Sequence, residues 1–280
     1  MRKTDWLLAL DIETVPDPEL VPPDWPPEQF PKPPWHKVVA LSFVAARIEE
    51  RGGIETYRVA SCRSGGSAAG TEAELLCSFW EWFGGALPRV VTWNGRSFDM
   101  AVLRLRAMMH GISVSAWDRS GDKWSGYRHR YSPDWHCDLM DQISDYGASP
   151  RSSLQDVSVA WGFPGKIGGS GGSVKAMVER GEIDRVRAYC ECDALLTYGA
   201  YLRWAGHTGL IDERSLAEGL ADLATFLRAS DAPHFAEFLA GWRDAPPATP
   251  RQAPSPNASP AARPFPSPPP RPRLRMASAR

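Results

Sequence analysis

The chain alternates between short apolar runs and amphipathic stretches, an order typical of an α/β protein. Its first apolar run begins at Trp6, is hydrophobic at every position to Leu10, and leads into Asp11-Ile-Glu13-Thr14. A short run that is apolar on both faces predicts a strand in the middle of a sheet. Because side chains alternate along a strand, Asp11 and Glu13 are expected on one face, about 6–7 Å apart at Cα.

Four further β-rich runs and eight helical stretches follow. The strands are predicted at Val38–Glu49, Ile54–Ser61, Arg89–Trp93 and Trp135–Asp138. Gly52-Gly53 between the first two of these predicts a hairpin. The helices are predicted at Thr71–Phe83, Met100–His110, Leu139–Tyr146, Ser152–Trp161, Ser173–Arg180, Ile183–Trp204, Ser215–Arg228 and Pro233–Trp242. Thr71 with Glu74 predicts a capping box. The segment 111–132 mixes Trp, Arg, Gly and Ser and predicts no definite element.

Two segments are too rich in proline for regular structure. Val15–Pro34 contains nine prolines and is predicted to be a stiff, extended loop over the end of the first strand. Its tryptophans, Trp25 and Trp35, either pin the loop to the body or stack on a nucleobase. From residue 245 onward twelve of thirty-six residues are proline, which predicts a disordered or polyproline-like tail. The expected organisation is one domain over 1–244, with a core of about 5–206 and closing helices at 207–244, followed by the tail 245–280.

The net charge conceals an asymmetry. The formal charge is −1, but the tail holds six arginines and no acid, so the body before it carries −7. An acidic body has no general attraction for nucleic acid, so such binding must use a local groove or the basic tail. The five cysteines include no Cys-x-x-Cys pair, which argues against structural zinc and for an intracellular, cytoplasmic chain. No run is long and apolar enough to cross a membrane.

Acidic residues recur where the predicted elements end or begin. Asp11 and Glu13 lie at the end of the first strand. Asp99 directly follows the turn Asn94-Gly-Arg-Ser-Phe98, which itself follows the strand Arg89–Trp93. Tyr189 and Asp193 are spaced i, i+4 on one face of the long predicted helix. Each also has a structural interpretation: Asp99 as a helix-capping residue, and Tyr189 with Asp193 as an exposed helix pair. Clustered carboxylates without His or Cys suit Mg²⁺ or Mn²⁺.

The three motifs Asp-x-Glu-Thr, Asn-Gly-x-x-Phe-Asp and Tyr-x-x-x-Asp, in this order, resemble those of the DEDD superfamily of 3′–5′ exonucleases. The similarity covers about Leu7 to Trp204, and within the superfamily the chain looks like a predicted exonuclease family related to the proofreading domain of family B DNA polymerases. Histidine-type members would have His where this chain has Ala188, so the chain resembles the tyrosine subgroup.

The resemblance implies a ribonuclease H-like fold, with a mixed five-stranded sheet flanked by helices and its first three strands antiparallel. It implies two Mg²⁺ or Mn²⁺ ions, with Asp11 bridging both, Glu13 and Asp193 completing the first and Asp99 holding the second. Tyr189 would orient the attacking water.

It also implies that Thr14 and Asn94 touch the terminal nucleotide and that Phe98 wedges against its base. For Phe98, packing of the turn is an equal alternative. Lys166 would meet a phosphate, or else simply be solvated.

The first functional hypothesis is a metal-dependent 3′–5′ exonuclease that releases nucleoside 5′-monophosphates from single-stranded DNA ends. A 3′–5′ exoribonuclease is the alternative among enzymes, because nothing in these motifs reads a 2′-hydroxyl. From another class, a binding module acting through its tail remains open. The tail itself is expected to attract nucleic acid electrostatically, or else to bind a protein partner through its proline-rich stretch.

Overall fold

The computed structural model describes residues 4–26, 29–165, 167 and 171–247. Within these ranges five strands form one mixed sheet in the order β3-β2-β1-β4-β5. Their bounds are β1 Trp6–Pro16, β2 His36–Arg51, β3 Ile54–Ser64, β4 Arg89–Thr92 and β5 His136–Asp138. The first three strands pair antiparallel, whereas β4 runs parallel to β1 and to β5. The sheet predicted from the sequence, with its first strand in the centre, is therefore confirmed.

The helices agree with the predicted ones to within a few residues, with one addition. Their bounds are α1 Glu72–Ala86, α2 Asp99–Met109, α3 Ser115–Arg119, α4 Leu139–Ile143, α5 Leu154–Ala160, α6 Val174–Glu179, α7 Ile183–His207, α8 Glu213–Arg228 and α9 Pro233–Gly241. The capping box of α1 is confirmed, because the Thr71 hydroxyl accepts from Glu74 N at 3.2 Å and the Glu74 carboxylate accepts from Thr71 N at 2.8 Å.

Strand β1 separates two apolar layers. Leu7 and Ala9 pack with α7 and α8 on one face of the sheet. Leu8 and Leu10 pack with α1 and α2 on the other. Since side chains alternate along a strand, odd-numbered residues of β1 face α7. This parity places the next two odd-numbered residues, which are carboxylates, on the side of the longest helix.

Three local predictions need correction. The segment left unassigned at 111–132 contains α3, whose Trp117 is buried among aromatic side chains of α1. The helix predicted to reach Tyr146 stops at Ile143, and Tyr146 takes a left-handed conformation with φ 56°. The helix predicted from Ser173 begins at Val174, and the Ser173 side chain makes no capping hydrogen bond to it. In each case tertiary packing or turn chemistry outweighed the local pattern.

Some predictions fall on residues outside the described ranges. These are Lys166 and residues 248–280 of the tail. Throughout the described ranges, no helix has the length and apolarity needed to cross a membrane.

Candidate active site

Three of the predicted carboxylates meet at the face of β1 that packs against α7. Asp11 and Glu13 of β1 and Asp193 of α7 each offer an oxygen within 4.8 Å of the other two. Glu13 and Asp193 are buried and Asp11 is partly exposed. Three negative charges at this separation repel one another, and burial adds the cost of desolvation. A bound cation would relieve both costs, and the three carboxylates lie close enough together to hold one.

Glu191, two residues before Asp193, ties α7 to neighbouring elements. Glu191 accepts hydrogen bonds from Ser64 N at 2.7 Å and from the Ser64 hydroxyl at 2.8 Å. Its second oxygen lies 2.8 Å from Nε2 of His234 in α9. Because Glu191 points away from Asp193 on the helix, it ties α7 to β3 and α9 while Asp193 faces β1. Sequence reasoning did not identify this anchor.

Tyr189 lies one turn before Asp193 and is almost fully buried, with 2% of its surface exposed. It packs beside Val174 and Met177 of α6 and Ala40 of β2. This burial excludes the alternative of an ordinary exposed helix pair. The structure brings Tyr189 to the same stretch of α7 as the carboxylate cluster, and its role remains a prediction.

The turn between β4 and α2 carries Asn94, Phe98 and Asp99. Asn94 has φ 61°, and a Cβ on Gly95 would come within 2.4 Å of Thr92, so this position requires glycine. The buried carboxylate of Asp138 holds the turn by accepting from Asn94 N and from Arg96 N, both at 2.9 Å. Asp138 was missed from sequence, although its place at the carboxyl end of β5 was a signal.

Asp99 occupies the first position of α2 and reaches the backbone of β1. One of its oxygens accepts from Ile12 N at 3.2 Å, between Asp11 and Glu13 in the chain. It is not one of the three residues that meet within 4.8 Å. Burial, reinforced by the charges of Asp138 and Asp193, raises the pKa of Asp99 to about 7. Its predicted function as a ligand of a second ion stays a prediction.

This raised pKa gives a test by stability. In EDTA, the folded protein keeps the Asp99 proton up to about pH 7, whereas the unfolded chain loses it near pH 4. Over that window the free energy of unfolding of the wild type, relative to Asp99→Asn, is expected to fall as pH rises, by up to about 4 kcal/mol. Urea unfolding of both proteins at pH 4, 5, 6, 7 and 8 measures the difference. If the difference in unfolding free energy between the two proteins does not change with pH, the raised pKa of Asp99 is wrong.

An aromatic group borders the carboxylates beside Thr14. The centre of the His36 ring lies 5.0 Å from that of Phe98 and 4.7 Å from that of Phe30. The ring centres of Phe30 and Phe98 are 5.5 Å apart. Phe30 comes from the proline-rich loop and is 71% exposed, so it presents an apolar ring to solvent beside His36 and Phe98. Phe98 is partly buried and packs on the α1–α2 layer, so it both supports the turn and faces this group.

The hydrogen bonds of His36 determine what Thr14 offers. Its Nε2 lies 2.9 Å from the carbonyl oxygen of Pro31, which only accepts, so Nε2 carries a proton. Burial lowers the pKa of His36, which favours the neutral ring. Nδ1 then accepts from the Thr14 hydroxyl at 2.9 Å. The Thr14 oxygen therefore keeps its lone pairs for a donor from a ligand.

The proline-rich loop is fastened at its base. Asp17 forms a buried ion pair with Arg106 of α2 at 2.9 Å, and its backbone N donates to Trp35 O at 2.7 Å. Trp25 and Trp35 pack edge to face at 4.8 Å, with Lys32 5.5 Å and 5.1 Å from their rings. These contacts favour the structural interpretation of the two tryptophans. The exposed aromatic of the loop is Phe30, which sequence reasoning did not single out.

Cys190 contacts the cluster from within α7. Its buried Sγ lies 3.3 Å from Asp11 O and 3.5 Å from Asp11 Oδ2. Burial, together with the charges of Asp11, Glu13 and Asp193, raises the pKa of this thiol, so it remains protonated and donates. Cys190 is thus a neutral neighbour that restrains Asp11.

The sheet order, the flanking helices and the carboxylates on β1 and α7 define an α/β protein with a ribonuclease H-like exonuclease fold. The chain belongs to a family of predicted 3′–5′ exonucleases related to the exonuclease domain of PolB, whose family model matches residues 28–242. The matched range includes Asp99, Tyr189 and Asp193, while Asp11 and Glu13 precede it. A comparison with curated proteins found no match. Membership supports nuclease activity on a nucleic acid and the use of divalent metal.

Proposed function

We propose that the protein is a 3′–5′ exonuclease that uses two divalent metal ions to release nucleoside 5′-monophosphates from single-stranded DNA ends. The observation that carries this proposal is the convergence of Asp11, Glu13 and Asp193 within 4.8 Å of one another. Membership in a family of predicted exonucleases supports the same reaction class.

The donor set fits magnesium or manganese. Its oxygens are all carboxylate oxygens, the ligand type that both metals prefer. Asp11, Glu13 and Asp193 would hold a metal ion, and Asp99 would serve a second one. When bound, such ions supply Lewis-acid stabilisation of the phosphate and acidify a water molecule.

The protein's own residues supply positioning. Tyr189, buried beside Asp193, would orient the attacking water through its hydroxyl. Cys190 restrains Asp11 through a hydrogen bond from its thiol. Asp138 keeps the β4–α2 turn in place, so that Asn94, Phe98 and Asp99 keep a constant position relative to β1.

The terminal nucleotide would lie against Thr14 and the aromatic group. Thr14 donates to His36, so its oxygen is free to accept from a sugar hydroxyl. Phe98 and the exposed Phe30 offer ring surface to the base. Asn94 lies in the same turn as Phe98 and would contact the same nucleotide. Stacking on an aromatic ring tolerates any base, which suits an enzyme that degrades strands of any sequence.

Replacing Phe30 tests this surface. Phe30→Ala is expected to raise KM for a single-stranded oligonucleotide about tenfold, because stacking on one ring contributes on the order of 1–3 kcal/mol. The melting temperature should hardly change, since the ring is 71% exposed. Phe30→Tyr keeps the ring and is the control. Equal KM values for the wild type and Phe30→Ala would remove Phe30 from the site.

One assay separates the proposed substrate from its alternative. Matched 5′-labelled DNA and RNA oligonucleotides are incubated with Mg²⁺ or Mn²⁺, and the products are resolved by length. A descending ladder from the DNA supports the proposal, and a ladder from RNA alone supports the exoribonuclease. Intact substrates under all conditions would leave a binding module as the better description. The contributions of Lys166 and of the tail stay predictions.

A further inference from the structure

The segment 120–131, here called the Trp124 loop, leads from α3 towards β5 and carries an unusual surface residue. Trp124 is 77% exposed, the highest value among the large apolar side chains of the described residues. Leaving an indole in water forgoes the gain from burying a large apolar surface. Single exposed apolar residues are ordinary on proteins, so the argument depends on how the loop is built.

The tip of the loop is closed by its own backbone. Asp122 accepts hydrogen bonds from Trp124 N at 2.7 Å and from Ser125 N at 2.8 Å. Asp122 N in turn donates to Ser125 O at 2.8 Å. A Cβ on Gly121 would lie 2.1 Å from Ser125 O. The two backbone segments of the tip therefore approach so closely that position 121 requires glycine. Trp124 is therefore held outward by an ordered turn.

Buried aromatic side chains anchor the loop at both ends. Trp117 and Tyr127 stack at 5.1 Å, both buried, and the Tyr127 hydroxyl donates to Pro88 O at 2.6 Å. These residues belong to the same apolar layer as α1 and α2. The chain thus buries two large aromatic rings and exposes a third between them.

The loop is also tied to the turn that carries Asn94, Phe98 and Asp99. The guanidinium of Arg96, in that turn, donates to Tyr127 O at 3.3 Å and to His129 O at 2.9 Å. Trp124 precedes Tyr127 by three residues, which span at most about 11 Å of chain. A strand whose 3′ end lies at the carboxylates would reach this surface with nucleotides further upstream.

The charges of the loop favour an anionic ligand. A hollow of about 490 Å³ is bordered by Arg119, Lys123 and Arg128. The two acids beside it are already engaged: Asp118 lies 3.5 Å from Arg104 and 3.9 Å from Arg128, and Asp122 closes the tip. Across the described ranges, Arg119 and Lys123 have no carboxylate within 4.0 Å.

We infer that the Trp124 loop is a second nucleic-acid contact, which binds the single strand some nucleotides upstream of its 3′ end. A base stacks on Trp124, and phosphates lie near Arg119 and Lys123. Lys123 Nζ already lies 4.6 Å from the centre of the Trp124 ring, so cation and ring face the same ligand. This inference rests on the proposed function for the location of the 3′ end.

A protein partner is the competing occupant. An exposed tryptophan alone suits either occupant. The positively charged side chains of Arg119 and Lys123, however, lie without carboxylate partners among the described residues, on a body whose formal charge is −7. A surface that concentrates positive charge and an aromatic ring in an acidic protein matches a single strand, which presents phosphates and bases together.

The test measures binding separately from hydrolysis. Fluorescence anisotropy in EDTA gives Kd for 5′-labelled DNA of 3 and 20 nucleotides. The wild type is expected to bind the longer strand more tightly, and Trp124→Ala to lose about tenfold in affinity for it alone. Trp124→Phe should retain most of the affinity. Lys123→Gln should weaken binding of the longer strand and lower the slope of log Kd against log salt by about 0.7.

Arg214→Gln is the matched control for charge. Arg214 is exposed on α8, which packs against β3 at the opposite edge of the sheet from β5. Its removal should leave the salt slope unchanged. Equal affinity of the wild type for both lengths, or wild-type affinity of Trp124→Ala for the longer strand, overturns the inference. Hydrolysis by the wild type is assayed separately with Mg²⁺, so failure of the proposed exonuclease activity is recognised independently.

Discussion

Asp11→Asn and Asp193→Asn are each expected to reduce kcat by at least about a thousandfold. Both residues belong to the cluster whose oxygens lie within 4.8 Å of one another, and an amide in place of either carboxylate removes a charged ligand of the proposed metal site. Loss of metal stabilisation of the transition state amounts to several kcal/mol, which corresponds to this factor. Tyr189→Phe should cost less, about ten- to a hundredfold, because the role proposed for its hydroxyl is only to align the attacking water.

Asp11→Asn and Asp193→Asn should not lower the stability of the fold. In the metal-free protein each removes one charge from three that repel, so the melting temperature in EDTA should be unchanged or higher. Asp184→Asn is the matched control, since Asp184 lies on the same helix but is exposed to solvent. Single-turnover rates and thermal melts measure both effects. Wild-type kcat in Asp11→Asn, or an equal loss in Asp184→Asn, would refute the assignment.

Removal of divalent metal is expected to abolish hydrolysis, and Mg²⁺ or Mn²⁺ to restore it. The physical reason is that carboxylates bind cations and repel a phosphodiester, so the cluster alone disfavours the substrate. A metal that binds only the folded state also stabilises it, by about 1.4 kcal/mol when the concentration is tenfold above Kd. The melting temperature of the wild type in EDTA should therefore rise when excess Mn²⁺ is added.

The variant Asp11→Asn with Asp193→Asn supplies the control for that shift. With one carboxylate left in the cluster, it should show little or no rise in melting temperature with Mn²⁺. Hydrolysis that continues undiminished in excess chelator would exclude the metal mechanism. A shift of equal size in the double variant would mean that Mn²⁺ binds elsewhere.

The catalytic proposal and the Trp124 loop share one structural dependence. Arg96 and Asp138 both hold the β4–α2 turn, since Asp138 accepts from its backbone while Arg96 donates to the carbonyls of the loop. The position of Phe98 and Asp99 relative to β1 is therefore coupled to the loop that presents Trp124. Arg96 occupies an unspecified position of the Asn-Gly-x-x-Phe-Asp motif, and for Asp138 the sequence offered only its place at the carboxyl end of a predicted strand.

Features that depend on neighbouring residues were readable from the sequence by itself. The alternation along β1 put Asp11 and Glu13 on one face, the i, i+4 spacing aligned Tyr189 with Asp193, and Thr71 with Glu74 marked the start of α1. These follow from covalent geometry and the periods of strand and helix, which act over a few residues. The motifs also led to the family and to the mixed sheet, both confirmed.

Contacts between distant segments were decided only by the tertiary structure. Phe30 meets Phe98 across the proline-rich loop, Arg89 forms a buried ion pair with Glu55, and Glu191 anchors α7 through Ser64 and His234. Asp193 meets Asp11 because α7 packs across β1 and β2. Such pairings depend on how whole layers pack and on which loops close, and neither is set by the local pattern of apolar and polar residues.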